Sequence, residues 1–160
     1  MIQSKIFTSI AKLSQRVKEW QNSQYKVVFT NGCFDILHKG HVVYLEEAKQ
    51  EGQILIVGVN SDASVKKLKG QHRPIVTEEG RVSVLAALES VDAVILFDED
   101  TPLQLIQNIG PDILVKGGDY DLKDIVGSDF VLQKGGRVKQ LSLIEGYSTS
   151  MIEQKIKSFC

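Results

Sequence analysis

The chain has 160 residues with 19 basic and 20 acidic side chains, and 42% of its residues are apolar. This length predicts a single domain over residues 1–160, and the ordinary apolar and charged fractions exclude disordered, collagen-like and cysteine-stapled chains. The formal net charge of −1 argues against a nucleic-acid partner, because covering phosphates normally requires a strong basic excess.

Short runs of β-branched and aliphatic residues alternate along the chain with segments of helical spacing. In chain order we predict a helix at 8–21, a strand at 26–30, a helix at 40–50, a strand at 53–60, a helix at 77–89, a strand at 93–97, a helix at 102–108, a strand at 113–116, a helix at 129–135, a strand at 137–141 and a helix at 148–159. The strands are nearly uninterrupted apolar runs, as is typical of strands buried on both faces. The alternation predicts an α/β fold with a doubly wound, Rossmann-like parallel sheet of five strands and helices on both faces.

Signals for secretion and membrane insertion are not found along this sequence. The first residues mix charges with apolar side chains, and no window approaches about 18 uncharged apolar residues. We therefore expect a cytoplasmic protein with no membrane partner. Two cysteines in such a chain, Cys33 and Cys160, are expected to be free thiols.

Polar and glycine-rich residues follow several of the predicted strands. In an open α/β sheet the ligand binds beyond the carboxyl ends of the strands, near the point where the strand order reverses. The segments after the first, second and fourth strands, at 31–41, 60–62 and 117–120, therefore mark the expected binding edge.

The segment after the first strand contains His38-Lys39-Gly40-His41 at the start of a helix. Neither G-x-G-x-x-G nor a Walker A loop is present, so hydride transfer and P-loop hydrolysis lose their main support. Two histidines three residues apart lie on one face of a helical turn and can point at one ligand. Gly40 leaves room for a ligand near the backbone, and the helix N-terminus favours a phosphate.

Two other interpretations of His38 and His41 stay open. Both can be ordinary surface or core-lining histidines, although a chance H-x-G-H match in a chain of this composition is expected only about 0.005 times. Alternatively, His38, His41 and Cys33 could supply three zinc ligands, but Cys33 does not have the spacing of a standard zinc motif.

The run Thr30-Asn31-Gly32-Cys33-Phe34-Asp35, followed by the two histidines, resembles the nucleotidyltransferase superfamily with the H-x-G-H signature. The segments at 60–75, 91–102, 111–120 and 146–150 resemble the adenylyltransferases of ADP-heptose synthesis. In many bacteria this activity is the C-terminal half of a bifunctional heptose kinase/adenylyltransferase. The resemblance covers about residues 5 to 158, so it implies a fold of the nucleotidyltransferase type and a separate polypeptide for the sugar kinase.

The resemblance implies a specific reaction. An oxygen of D-glycero-β-D-manno-heptose 1-phosphate attacks the α-phosphorus of ATP, pyrophosphate leaves, and ADP-heptose forms for lipopolysaccharide core or another surface glycan. The protein would position the reactants and neutralise charge, with Mg²⁺ bound mainly through the ATP phosphates rather than by protein side chains. Related enzymes are often homodimers or larger homo-oligomers.

The same resemblance implies a set of site residues. His38 and His41 would be catalytic, and the nucleotide would be bound by Thr30, Asn31, Gly32, Cys33, Phe34, Asp35, Gly40, Lys116, Gly117, Gly118, Asp119, Tyr120, Ser148, Thr149 and Ser150. Structural alternatives accompany three of these groups. Asp35 would orient the loop or a cationic partner but could have a purely structural role in the loop, Gly117-Gly118 could form a simple turn, and Ser148 or Thr149 could cap the last helix.

The cations of the site do not follow the superfamily pattern throughout. Many superfamily members carry Arg or Lys three residues after the Ser/Thr cluster, where this chain has Glu153, so the role would pass to Lys155, another lysine or Mg²⁺. We expect Lys69, Arg73 and Arg81 to bind the acceptor phosphate. Arg81 could equally pair with Glu78 or Glu79, and Lys66 and Lys67 are expected to form a solvated face.

Two further functions remain as alternatives. The first is a cytidylyltransferase that acts on glycerol 3-phosphate or a similar alcohol phosphate. The second is a non-catalytic nucleotide-binding module, against which the intact histidine pair argues. The residues alone do not distinguish adenine from cytosine, because that choice depends on backbone geometry.

Overall fold

A computed structural model describes residues 1–119 and 121–159. The predictions for Tyr120 and Cys160 lie outside the described residues. The strands are β1 (Ile6–Phe7), β2 (Val27–Gly32), β3 (Ile54–Asn60), β4 (Ala93–Phe97), β5 (Ile113–Gly117) and β6 (Arg137–Leu141). The helices are α1 (Ile10–Asn22), α2 (Lys39–Gln50), α3 (Asp62–Lys69), α4 (Glu78–Ala86), α5 (Leu103–Ile109), α6 (Ser128–Gln133) and α7 (Thr149–Lys157). Among these helices, none is long and apolar enough to cross a membrane.

The described strands form one parallel sheet in the order β1-β4-β3-β2-β5-β6. The α/β prediction and the five predicted strands are confirmed, but the sheet has six strands rather than five. The additional strand pairs Ile6 with Val94 and Phe7 with Ile95 at the sheet edge. Two residues are too few to show a periodicity, so the pattern of the sequence could not reveal β1.

Apolar side chains of the central strands alternate between two cores, one on each face of the sheet. Val28, Leu55 and Val57 pack on one face with residues of α2 and α4. Val27 and Phe29 pack on the other face with residues of α1, α5 and α6. Because each strand contributes to both cores, β2 to β5 are buried throughout most of their length, as the uninterrupted apolar runs indicate.

Most predicted helices are confirmed with boundaries shifted by a few residues, and the helix starts follow the expected capping chemistry. Thr77 accepts a hydrogen bond from the backbone of Gly80, and Ser148 accepts one from the backbone of Met151. Helix α3, by contrast, was not among the predicted helices. Its eight residues form about two amphipathic turns with Val65 buried. This helix is too short for its apolar periodicity to stand out from the surrounding lysines.

Strand order reverses between β2 and β5, because the chain proceeds outward from β2 through β3 to β4 and then returns to the other side at β5. This crossover point is where open α/β sheets bind ligands. The carboxyl ends of β2 and β5, at Gly32 and Gly117, therefore lie at the expected edge together with the N-terminus of α2.

Candidate active site

A cleft with two adjoining chambers opens at this edge. The larger chamber has a volume of about 670 Å³ and the smaller one about 320 Å³. They share a wall formed by Asn31, Gly32, Cys33, Phe34, His41, Lys116 and Thr149. A site of this shape can hold two substrates whose reacting groups meet at the shared wall.

His38 and His41 stack against each other at the start of α2. Their ring centroids are 3.8 Å apart with an interplanar angle of 19°. His38 is the residue before the first helical position, so the two rings occupy neighbouring places on the first turn, as the spacing predicts. The Nδ1 atoms of both rings are buried and make no hydrogen bond of good geometry to another described residue.

Both imidazoles are held in the neutral form. Burial lowers the pKa of His38, and burial together with the neighbouring His38 lowers the pKa of His41 to about 4. The backbone of Ile36 opposes this effect only in part. At neutral pH each ring therefore offers one N–H donor without a fixed charge, and an arriving phosphate would supply the negative potential that favours protonation.

In the loop between β2 and α2, the Phe34 ring packs over the end of β2. The ring of Phe34 meets the ring of His41 edge to face, with centroids 5.2 Å apart. A Cβ on Gly32 would lie 3.0 Å from the Phe34 ring, so the glycine lets this ring pack closely over the end of β2. Thr30, by contrast, is fully buried and bonds the hydroxyl of Tyr44 at 2.6 Å, so it supports the loop from below and does not line the cleft.

Gly40 serves packing as well as access. A Cβ there would lie 3.1 Å from the His38 ring and 3.2 Å from the Cβ of Tyr147. The missing side chain therefore lets the histidine ring and the segment before α7 approach the helix start. The space that we expected a ligand to use is in part taken by these two residues.

Asp35 holds the segment that leads into α4. Its buried carboxylate accepts hydrogen bonds from the backbone N–H groups of Ile75 and Val76 at 2.8 Å and from Arg73 Nη1 at 3.0 Å. Although burial raises the pKa of Asp35, these donors outweigh it and hold the pKa below its usual range. The orienting role considered for Asp35 is the one that its contacts show.

Lys116 lies at the shared wall of the two chambers, with its Nζ 3.4 Å from both the backbone oxygen and Oδ1 of Asn31. Burial lowers the pKa of Lys116. Cys33 is a free thiol beside it, and burial raises the pKa of that thiol, so the protonated form is favoured. A lysine at this junction can neutralise phosphate charge from either chamber.

The N-terminus of α7 borders both chambers. Ser148 and Thr149 line the smaller one, whereas Thr149 and Ser150 line the larger one. The Ser148 hydroxyl caps the helix by accepting from Met151 N, so the capping alternative describes that residue. Thr149 and Ser150 stay available at a helix start, which favours an anion.

Among the described residues, no group of three or more His, Cys, Asp or Glu side chains could hold a metal ion. The considered zinc site of His38, His41 and Cys33 is therefore not assembled. Asp35, the buried carboxylate of the cleft, is already occupied by Arg73 and two backbone donors.

Comparison with known proteins identifies the family of the chain that forms this cleft. The sequence model described as cytidylyltransferase-like matches residues 29–155, a range that includes both helix starts and β5. The chain belongs to the cytidylyltransferase-like family.

Curated relatives and solved structures agree with this family. The chain is 57% identical over 133 residues to the bifunctional protein HldE of Citrifermentans bemidjiense, covering 83% of this chain and 27% of the relative. It is 52% identical over 160 residues to HldE of Helicobacter pylori strain G27, covering 100% of this chain and 34% of the relative. The chain thus spans about a third or less of the length of these relatives.

Two solved structures share the fold. A lipopolysaccharide core biosynthesis protein from Thermoplasma volcanium is 31% identical with a TM-score of 0.62, covering 78% of this chain and 99% of that one. Pantothenate synthetase from Thermus thermophilus has a TM-score of 0.60 at 14% identity, covering 93% of this chain and 70% of that one, and shows a likeness of fold alone.

The structure brings most of the predicted residues of this cytidylyltransferase-like site together. Fifteen of them line one or both chambers: Asn31, Gly32, Cys33, Phe34, Asp35, His38, Gly40, His41, Lys69, Arg73, Lys116, Gly117, Ser148, Thr149 and Ser150. Gly118 and Asp119 do not border either chamber, and Gly118 instead donates its N–H to Leu141 O as the chain turns away from β5.

Arg81 does not reach the cleft where we expected it to bind the acceptor phosphate. Its side chain is fully buried and donates to the backbone oxygen of Cys33 at 2.6 Å, to that of Val76 at 3.1 Å and to Asp62 Oδ1 at 2.9 Å. Each of its three guanidinium nitrogens therefore donates to the segments behind the cleft. The alternative pairing with Glu78 or Glu79 is not formed either, because Asp62 is the carboxylate in reach.

Arg73 occupies the region where a cation was missing from α7. Its guanidinium contacts Asp35 through Nη1 and Glu153 through Nη2, and it lines the larger chamber. The positive charge near the α7 start thus comes from a distant segment of sequence. Lys155 does not line the cleft.

Several lining residues were missed at the level of sequence. The larger chamber includes Asp100 and Thr101, which follow β4 and lie at the same sheet edge as Asn60 of the predicted segment 60–62. The smaller one includes Leu143, Ile144 and Tyr147, from the segment between β6 and α7. The strand-end rule could have found the first group, whereas nothing in the local pattern indicates that the second group folds back onto Gly40.

Proposed function

We propose that this chain transfers the adenylyl group of ATP to a sugar 1-phosphate, D-glycero-β-D-manno-heptose 1-phosphate, and releases pyrophosphate. The observation that carries the proposal is the stacked histidine pair, of which His41 lies at the wall between the two chambers and His38 lines the smaller one. Relatives named HldE and a structural relative named for lipopolysaccharide core biosynthesis support the substrate class. The product, an ADP-heptose, would then serve lipopolysaccharide core or another surface glycan.

The two chambers suit different substrates. The smaller chamber is bordered by Tyr44, Leu143, Ile144 and Tyr147, whose apolar surfaces suit a flat base. The larger chamber presents Asn60, Lys69, Arg73, Asp100 and Thr101, which suit the hydroxyl groups and phosphate of a sugar. We therefore assign the nucleoside to the smaller chamber and the acceptor to the larger one.

The proposed step is an in-line substitution at phosphorus. An oxygen of the acceptor phosphate forms a bond to the α-phosphorus of ATP, while the bond from that phosphorus to the bridging oxygen breaks and pyrophosphate leaves with the electron pair. His38 and His41 donate to phosphate oxygens, and Lys116 neutralises charge at the junction. No covalent intermediate with the protein is needed, because both reactants are held together.

We propose that Mg²⁺ enters this site bound to the nucleotide. The described residues assemble no carboxylate cage, and a small hard cation often keeps its waters and binds through substrate phosphates. When bound it would neutralise charge on the triphosphate. Thr149 and Ser150 are the side chains placed to contact the phosphates that carry it.

A pyrophosphate-release assay tests the proposal by crossing ATP and CTP with heptose 1-phosphate and glycerol 3-phosphate, with and without Mg²⁺. We expect release only with ATP, heptose 1-phosphate and Mg²⁺. The family description favours one second candidate, a cytidylyltransferase, which turnover of CTP with glycerol 3-phosphate would support instead. Nucleotide binding without turnover of any pair would indicate a non-catalytic module.

The cellular setting follows from the chemistry of the donor. We propose that the reaction takes place in the cytoplasm, where ATP is available, and that a sugar kinase supplies the sugar 1-phosphate. Association into a homodimer or larger oligomer stays a prediction, which the sedimentation behaviour of the purified protein would check.

A further inference from the structure

Helix α7 carries phosphate-facing residues but is poorly anchored by apolar packing. None of the residues of α7 is buried, and Met151 and Ile156 are 49% and 55% exposed. Because helices in proteins gain most of their stability from packing an apolar face, the position of α7 must depend strongly on polar contacts.

One side-chain contact of this kind connects α7 to the rest of the chain within residues 1–119 and 121–159. Arg73 Nη2 donates to Glu153 Oε2, in an ion pair that is mostly shielded from solvent. The other ion pair of α7, between Lys157 and Glu153 at 2.8 Å, is internal to the helix. Glu153 is thus the point at which α7 is held.

The partner of Glu153 is itself rigidly placed. Arg73 Nη1 donates to Asp35, and the same carboxylate binds the backbone of Ile75 and Val76. A continuous polar chain therefore runs from the β2–α2 loop through Arg73 to Glu153. Both Asp35 and Arg73 line the larger chamber, whereas Glu153 lies one helical turn beyond Ser150.

We propose that Glu153 is a positioning residue that docks the start of α7 against the acceptor side of the cleft by holding Arg73. Thr149 and Ser150 then face the phosphates at a fixed distance from the acceptor cation. This assignment rests on the proposed function. It also explains why a carboxylate, that of Glu153, lies near a proposed phosphate-binding site, where its negative charge would otherwise be unfavourable. Glu153 acts through Arg73 and needs no contact with substrate.

A purely local role for Glu153 makes a different prediction. If Glu153 only stabilised α7 through its pair with Lys157, removing Lys157 would have the same effect as removing Glu153. Lys157→Met is therefore the matched control, since it abolishes the internal pair and leaves the contact with Arg73 intact.

The experiment compares Glu153→Ala, Glu153→Gln and Lys157→Met in steady-state kinetics. For Glu153→Ala we expect the KM for ATP to rise about 3- to 10-fold, while kcat changes less than about 2-fold, as for loss of one shielded ion pair. Glu153→Gln retains an oxygen that accepts from Arg73 and should recover most of the loss. Lys157→Met should resemble the unsubstituted protein.

A second readout does not depend on the reaction. In hydrogen-exchange measurements on the ligand-free protein, Glu153→Ala should speed exchange over residues 149–157, and Lys157→Met should not. Unchanged KM and exchange in Glu153→Ala, or equal effects in Lys157→Met, would overturn the docking role. If no acceptor supports turnover, the proposed function fails, while exchange and calorimetric ATP binding still decide the role of Glu153.

Discussion

Two helix starts face the same cleft, and they are held in opposite ways. Helix α2 brings His38 and His41 on a helix whose Tyr44, Leu45 and Ala48 are buried in the core on one face of the sheet. Helix α7 brings Thr149 and Ser150 on a helix without a buried residue, held through Arg73. The comparison teaches that the groups proposed to act in the transition state are fixed by the apolar core, whereas those proposed to bind the triphosphate are fixed by polar contacts.

The largest expected effect tests the rigid side of the comparison. His41→Ala should lower kcat about 10²- to 10³-fold and change the dissociation constant for ATP less than about 5-fold, because a donor aimed at developing charge matters most in the transition state. Pyrophosphate release and calorimetric ATP titration measure the two quantities. His72→Ala, which changes an exposed histidine, is the control and should leave both kcat and the dissociation constant for ATP unchanged. Full turnover in His41→Ala would remove the proposed role of the pair.

Removal of Asp35, which lies in the β2–α2 loop and also holds Arg73, should lower the free energy of unfolding. Asp35→Ala leaves the N–H groups of Ile75 and Val76 and the guanidinium of Arg73 without their acceptor, so we expect a loss of about 2–4 kcal/mol in the free energy of unfolding. Urea denaturation measures it. Because the pKa of Asp35 is lowered on folding, its contribution is present above about pH 4 and is lost as the pH falls through the folded pKa. A loss that persisted unchanged at lower pH would contradict the charged carboxylate.

Acid should lower the free energy of unfolding through protonation of His41 at the start of α2. Its pKa is about 4 in the folded protein and about 6.5 when unfolded, so the unfolded chain binds more protons between these values and the free energy of unfolding falls as the pH drops. Between pH 7 and pH 4 the free energy of unfolding of the unsubstituted protein should fall by on the order of 2 kcal/mol more than that of the His41→Asn variant. Parallel denaturant titrations at several pH values check this, and identical pH profiles would show that His41 is not buried in the neutral form.

The smallest expected effect sharpens the division between the chambers. Tyr147 lines the smaller chamber with its ring 5.4 Å from Lys39 Nζ, and its loss should weaken contact with the base. Tyr147→Ala should raise the KM for ATP about 3- to 10-fold without changing the KM for the acceptor. Asp100→Asn, in the larger chamber, should do the reverse. A rise in the acceptor KM for Tyr147→Ala would exchange the chamber assignments.

Much of the fold could be predicted because the signals are local. The apolar runs at β2 to β5 mark strands buried on both faces, and alternation with helices is enough to expect a parallel doubly wound sheet. The missed elements are short ones: β1 has two residues, and α3 lies among lysines that are typical of a solvated face. The position of the histidine pair was equally accessible, since a spacing of three residues places both rings on one turn.

The sequence by itself determined the class of fold, the sheet edge at which the cleft lies, and the placement of His38 and His41 on one helical turn, since each depends on a local periodicity or spacing. Only the tertiary structure decided how the charges are used. Arg73 and Arg81 are both arginines in the same stretch, yet Arg73 lines the cleft and Arg81 is sealed behind it. The reason is that a side chain's partners, here Asp35 with Glu153 for Arg73 and Asp62 for Arg81, come from segments remote in sequence, and no local pattern specifies which of them will meet.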